Sequence, residues 1–281
     1  MPTTDSHLII PARFRGPTSS GNGGWTAGAL AERAAQHPGR PTDCPVVEVT
    51  LRMPPPLEVA MAVTHEDDAS TRLLRDGALV AEARCSGEEI DPVEEVPPSR
   101  AEEAMASYPG HRVHPFPECF ACGPDRAEGD GLRIFPGAVG GGRVASVWVP
   151  HESLAEASDL LDPGVQRVGL ATTWAALDCV GGWSSDLEGR PAVLGQMAAR
   201  VEALPSVGEP HVAVGAELGG EGRKVFTAST LYDSDGRVVA RARHTWIVID
   251  PPGRTSWSAR STRNGRNHVL LADQLPRHPP V

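Results

Sequence analysis

The sequence predicts an α+β protein built from two similar halves, each an antiparallel β-sheet with one helix packed against it. Three observations lead there. The stretch "DGALVAEAR" (76–84) returns as "DGRVVARAR" (235–243), with six of nine positions identical. Each copy opens with Asp-Gly between apolar runs, which is a strong short hairpin signal. Upstream of each copy lies a helix candidate made largely of alanine and glycine. Repetition at this scale bears on the whole architecture and not only on one turn.

The elements follow in order. "GGWTAGALAERAAQ" (23–36) is the first helix candidate, and "VVEVTLRM" (46–53) is a strand. "STRLLR" and the alternating run after Asp76-Gly77 make the first hairpin. In the second half "GLRIFPG" (131–137) and "RVASVWVP" (143–150) read as strands, and "QRVGLATTWAALDCV" (166–180) as the second helix. Gly181-Gly182 stands where a helix C-terminus is expected. "LGQMAARVEAL", "HVAVGAEL" and "KVFTASTLYDS" supply further strands, and the last strand runs on through "HTWIVID". Helices this rich in small residues all the way round are buried and closely approached by other backbones. The acidic, then Pro-rich middle (88–118) reads as a linker, and the Pro/Arg-rich tail as surface or disordered chain.

At 281 residues, 40% of them hydrophobic, the chain is long enough for a substantial core. A formal net charge of −10 argues against nucleic acid and anionic membranes as partners. The N-terminus "MPTTDSHLII" lacks a basic-then-apolar signal pattern, and no apolar run reaches membrane-spanning length. The expected location is therefore cytoplasmic. An odd count of five cysteines (Cys44, Cys85, Cys119, Cys122, Cys179) then points to free thiols and not to a disulfide framework.

"GNGGWTAGALA" (21–31), "CFACGPDRAEGDGLRIFPG" (119–137) and "WAALDCVGGW" (174–183) together resemble the double hot-dog acyl-CoA thioesterases, over about residues 7–250. The resemblance implies two fused hot-dog domains, each an antiparallel β-sheet wrapped around a central helix. Residues 1–95 and 131–250 would be the two halves, 96–130 a linker holding Cys-x-x-Cys, and 251–281 a tail. It implies hydrolysis of an acyl-CoA or acyl-carrier-protein thioester at a site shared by the halves, without metal or organic cofactor, and leaves room for a homo-oligomer. Family members carry His-Gly-Gly before the helix and an acid about nine residues later. Here the first half has Asn22-Gly23-Gly24 with Ala31 at the acid position and Glu32 beyond. The second has Gly169 for the histidine but keeps Asp178. The resemblance implies sites shared at the interface of the halves, which would make these two incomplete halves complementary.

Asp178 is thus the expected general base or nucleophile. Placed at the end of an apolar helix, its carboxylate opposes the macrodipole and is costly to bury, and both effects raise its pKa. Asn22, Gly23 and Gly24 at the start of the first helix offer amides for an oxyanion, unless they serve only as a cap and as packing glycines. Trp25, Thr173, Trp174 and Gln196, with Thr172 and Trp183, are candidates to line an acyl pocket, although such aromatics are more often plain core. Arg15, Arg167, Arg200 and Arg243 are available for the phosphates of coenzyme A. His111-x2-His114-x4-Cys119-x2-Cys122 has paired metal ligands, but the gap is short for a zinc finger, and reduced thiols at a domain junction are the favoured reading. His244 reads as a strand histidine. A hot-dog dehydratase would pair Asp with His five residues on, where this chain has Trp183. No Gly-x-Ser-x-Gly elbow is present. A non-catalytic acyl-binding protein remains the alternative.

Overall fold

The structure, a computed structural model, describes residues 4–158 and 164–249. In chain order its strands and helices are β1 (Thr4–Leu8), α1 (Gly23–Ala34), β2 (Val46–Leu51), β3 (Met61–His65), β4 (Thr71–Arg75), β5 (Ala78–Ser86) and α2 (Pro98–Met105). There follow β6 (Gly137–Gly140), β7 (Arg143–Trp148), β8 (Ala155–Ser158), β9 (Gln166–Val168), α3 (Leu170–Trp183), β10 (Ala192–Val201), β11 (His211–Glu221), β12 (Lys224–Tyr232) and β13 (Val238–Val248). The tail after Asp250 lies outside the described residues. None of the described helices is long and apolar enough to cross a membrane.

Eleven of the described strands form one antiparallel sheet in the order β1-β3-β4-β5-β2-β10-β13-β12-β11-β7-β6. From the β2/β10 seam outward the order mirrors itself, so β5 matches β13, β4 matches β12, β3 matches β11 and β1 matches β7. The seam is a true ladder, with Gln196 opposite Thr50 and Ala199 opposite Val47. The repeated phrase occupies matching positions, at the starts of β5 and β13. Its turns differ, however. Asp76 (φ 49°) and Gly77 (φ 80°) both adopt positive φ and close a two-residue hairpin, with Arg75 paired to Ala78. The second copy spans a longer turn, in which the Asp233 side chain accepts from the amides of Asp235 and Arg237.

Helix α1 packs on β2, β5 and α3, and α3 packs on β11, β12 and β13. Leu30, Met61 and Leu73 from the first half join Leu177, Met197 and Leu231 from the second in one continuous buried core. Gly24 and Gly28 on α1 make the crossing possible. A Cβ at Gly24 would lie 2.5 Å from Asp178 Cβ, and one at Gly28 would lie 2.7 Å from Ala171 Cα.

Several expectations need correction. Helix α3 starts at Leu170 because Gln166–Val168 pairs with β8 instead. It also runs through Gly181-Gly182 to Trp183. The exposed-end chemistry comes one residue later, where Ser184 and Ser185 hydroxyls donate to the carbonyls of Gly181 and Gly182. The two glycines are packing residues: His244 and Trp246 rings occupy the space where their Cβ atoms would be. Asp178 therefore lies inside α3, and its environment owes little to a helix end. "GLRIFPG" is not a strand; β6 begins only at Gly137, where the carbonyl of Ala104 on α2 leaves no room for a Cβ. The middle segment is not wholly linker, since α2 buries Ala101 and Ala104 against β7. Finally, Cys44 and Cys85 form a disulfide, because Cys85 lies opposite Val47 on the neighbouring strand and Cys44 just precedes that strand. Cys119, Cys122 and Cys179 are free and buried.

His244 on β13 is 3% exposed. Trp246 Nε1 donates to Thr227 Oγ1, and the same hydroxyl lies 3.2 Å from His244 Nδ1. His244 Nε2 has no partner among the described residues. Burial pushes the pKa of His244 down to about 4 from 6.5. The folded protein keeps it neutral while the unfolded chain binds a proton below pH 6.5, so its contribution is full above that pH and is lost toward pH 4. The expected loss across the window is about 3 kcal/mol. Urea denaturation midpoints measured from pH 4 to 7 should fall with acid, and His244→Asn should flatten that slope by about one proton.

Candidate active site

The crossing of α1 and α3 brings Asn22 and Asp178 together from opposite halves of the sheet. Asn22 caps α1, its Oδ1 accepting the Trp25 amide at 2.8 Å. This leaves its Nδ2 free to donate to Asp178 Oδ2 at 3.0 Å, and the Gly24 amide donates to the same oxygen at 2.9 Å. Asp178 Oδ1 is buried and has no partner among the described residues. Burial pushes the Asp178 carboxyl up to about 7. The Gly24 amide opposes that rise, Cys119 nearby adds to it, and Asn22 opposes it.

Asp178 and Asn22 lie in the wall of a cavity of about 440 Å³. Most of that wall is apolar, including Leu51, Met53, Phe116, Leu194 and Trp246. Gly23, Trp183 and the exposed Arg52 also line it. Among the described residues Arg52 has no ion-pair partner. Beside Asp178 the wall holds His114 and the three free thiols. Hydrogen bonds from Cys122 and Cys179, with backbone amides of the same turn, hold Cys119 well below the usual thiol range. Burial pushes Cys122 up and His114 down.

The residues expected at the site divide clearly. Asn22, Gly23 and Asp178 stand at the cavity, and Gly24 touches it through Asp178. The Gly24 amide is not open for an oxyanion, however, because Asp178 already occupies it. With the Trp25 amide taken by the cap, Gly23 supplies the remaining early amide of α1. Trp25 is instead stacked on Phe14 at 4.1 Å. Thr173 is buried and donates to the Gly169 carbonyl, and Thr172 donates to Glu156. Trp174 fills the α1–α3 crossing over Gly28. Gln196, on the sheet, donates to Thr50 across the seam. None of these five lines the cavity. The four arginines singled out are all engaged: Arg15 with Glu118, Arg167 with Leu204 and Ser206, Arg200 with Glu202, and Arg243 with Glu88. His111 meets the Tyr108 and Phe135 rings edge-on and is not among the residues grouped with the thiols. What the sequence did not disclose was Cys179 and Arg52. Cys179 could have been found as the neighbour of Asp178, but only the crossing brings it to Cys119.

This arrangement of sheet and central helices is the hot-dog fold, and solved structures carry the same one. A "putative thioesterase" from Novosphingobium aromaticivorans superposes with a TM-score of 0.54 at 13% identity, covering 87% of this chain and 95% of that one. A hot-dog protein of unknown function from Alicyclobacillus acidocaldarius gives 0.52 at 13% identity over 89% and 96%. A "putative thioesterase II" from Thermobifida fusca gives 0.50 at 14% identity over 87% and 92%. No protein-family model matches the sequence, and no curated protein matches it as a relative. At such identities the likeness defines the fold.

The helix crossing yields a direct expectation. Gly24→Ala places a methyl group against Asp178 Cβ and the Trp174 carbonyl, which lies 2.8 Å from the Cβ position. Because one of those neighbours is backbone, the helices must part, at a cost of about 1–3 kcal/mol. A thermal melt of the variant should show Tm lowered by several degrees, in line with about 2–4 °C per kcal/mol for a chain of this size.

Proposed function

We propose that the protein hydrolyses an acyl thioester, carried on coenzyme A or an acyl carrier protein, at a single site shared by two fused hot-dog halves. The observation that carries this reading is the asymmetric setting of Asp178. One oxygen is clamped by Asn22 and the Gly24 amide, and the other is buried without a partner in the wall of an apolar cavity. A carboxylate so fixed can take a proton from a water molecule as that water attacks the thioester carbon. The Gly23 amide, at the positive end of α1, faces the developing oxyanion. Collapse of the tetrahedral intermediate breaks the C–S bond, and the departing thiolate takes the proton held by Asp178. The products are a carboxylic acid and a free thiol. The mirrored strand order about the β2/β10 seam supports the fused arrangement, since each half contributes one member of the Asn22–Asp178 pair. The names of the structural neighbours agree with the reaction class.

One observation favours a second reading, in which the cavity binds acyl groups without turnover: Asp178 itself closes the Gly24 amide, leaving fewer donors for an oxyanion. Thiol release from a panel of short, long and aromatic acyl-CoAs separates the two. Under the hydrolase reading Asp178→Asn lowers kcat on the order of 100-fold or more with the fold intact by circular dichroism. Saturable acyl-CoA binding with no thiol release would instead support the binding reading.

Arg52 is the cation available for the phosphates of a coenzyme A or carrier arm. Exposed at the cavity and without an ion-pair partner among the described residues, it should act on substrate capture. Arg52→Gln is expected to raise KM several-fold, with kcat within about twofold, and to lose that effect at high salt.

A further inference from the structure

The three free thiols remain unexplained by hydrolysis. Their sulfur atoms all lie within 4.8 Å of one another, and Cys119 Sγ is 3.7 Å from Cys179 Sγ. Cys119 and Cys122 come from one tight turn, whose carbonyl at Cys122 accepts the Tyr108 hydroxyl. Cys179 comes from α3. All three are at most 7% exposed.

Besides backbone amides of the turn, the side chains of Asn22 and His114 bring N–H donors to these sulfurs. The Asn22 amide approaches Cys119 Sγ at 3.7 Å and Cys179 Sγ at 3.9 Å. His114 Nε2 lies 3.3 Å from Cys122 Sγ. The Phe116 amide donates to His114 Nδ1 at 2.9 Å, which leaves the proton of the neutral ring on Nε2. His114 is therefore a donor to sulfur and not a metal ligand. Donors arranged in this way stabilise thiolates far better than thiols. Yet among the described residues the wall offers no buried positive charge beside the thiols: His114 is a neutral ring and Arg52 is exposed, while Asp178 adds a carboxylate. Buried thiolates without a compensating charge are costly.

We propose that Cys119, Cys122 and Cys179 bind a zinc ion through their sulfurs, with the fourth coordination position taken from the cavity by water. Three sulfur ligands select a thiophilic metal, and four-coordinate geometry with one open position suits zinc. Zinc supplies the missing charge and displaces the thiol protons that remain. Asn22 and His114 then serve as its outer-shell donors. The site is independent of the hydrolase reading, because metal binding is read without turnover.

The test is elemental analysis of the full chain purified without chelator, followed by cobalt titration of the metal-free protein. One zinc per chain is expected. Cobalt should give the visible bands of a four-coordinate site and a near-ultraviolet thiolate-to-cobalt charge-transfer band. Cys179→Ser, or Cys122→Ser if the first fails to fold, should weaken zinc binding by more than the roughly 100-fold that losing an outer-shell partner costs. A folded, reduced wild-type chain that gives no charge-transfer band would overturn the proposal. So would an intact mass two hydrogens lighter than the Cys44–Cys85 bond explains, which would mark a disulfide among the three thiols instead.

Discussion

Everything at the candidate site depends on how closely α1 can approach α3. Gly24 and Gly28 sit one turn apart on the same face of α1, and the backbone of α3 fills the space their side chains would need. That approach carries the Gly24 amide to Asp178 Oδ2, and the Asn22 cap delivers a second donor to the same atom. The carboxylate is in this way anchored by a helix N-terminus belonging to the other half of the sheet. The anchor fixes which oxygen is spoken for and which is not. It also sets Cys179, one residue on, beside the turn that holds Cys119 and Cys122.

The crossing carries an electrostatic cost. Asp178 sits in the middle of α3, 2% exposed, among thiols and apolar side chains. Two hydrogen bonds favour its charged form, but burial outweighs them. The balance is one in which the group can both hold and release a proton near neutrality. His244 illustrates the opposite sign: burial keeps its ring uncharged, with a single hydroxyl contact. The interior of this protein thus discourages charge of either kind, and a cluster of three thiols stands out against that background.

Much of the fold was legible in the sequence because it was written twice. The Asp-Gly phrases marked matching hairpins, and the Ala/Gly runs marked both central helices. Periodicity was less informative where small residues dominate. The run Ala171 to Val180 is buried on every face, so nothing in it fixed the helix ends, and Gly181-Gly182 suggested a stop that packing overrides. Helix α2 was missed because its eight residues are flanked by prolines and acids and are held by burial of only two alanines. The motif they partly resemble singled out Asp178, Asn22, Gly23 and Gly24, which the helix crossing gathers at or beside the cavity. Trp25, Thr173, Trp174 and Gln196 were not separable from core residues, since their types say nothing of which side of a helix or sheet they occupy. Residues joined only by the tertiary crossing, such as Cys119 with Cys179, have no signal in local sequence.

The β2/β10 ladder has a consequence for how the molecule behaves in solution. Two-part sites assembled from separate chains come apart as protein becomes scarce, because partner concentration governs their occupancy. Here both parts lie on one chain and share one sheet, so the pairing of Asn22 with Asp178 does not depend on how many copies are present. Scarcity has no hold on the site.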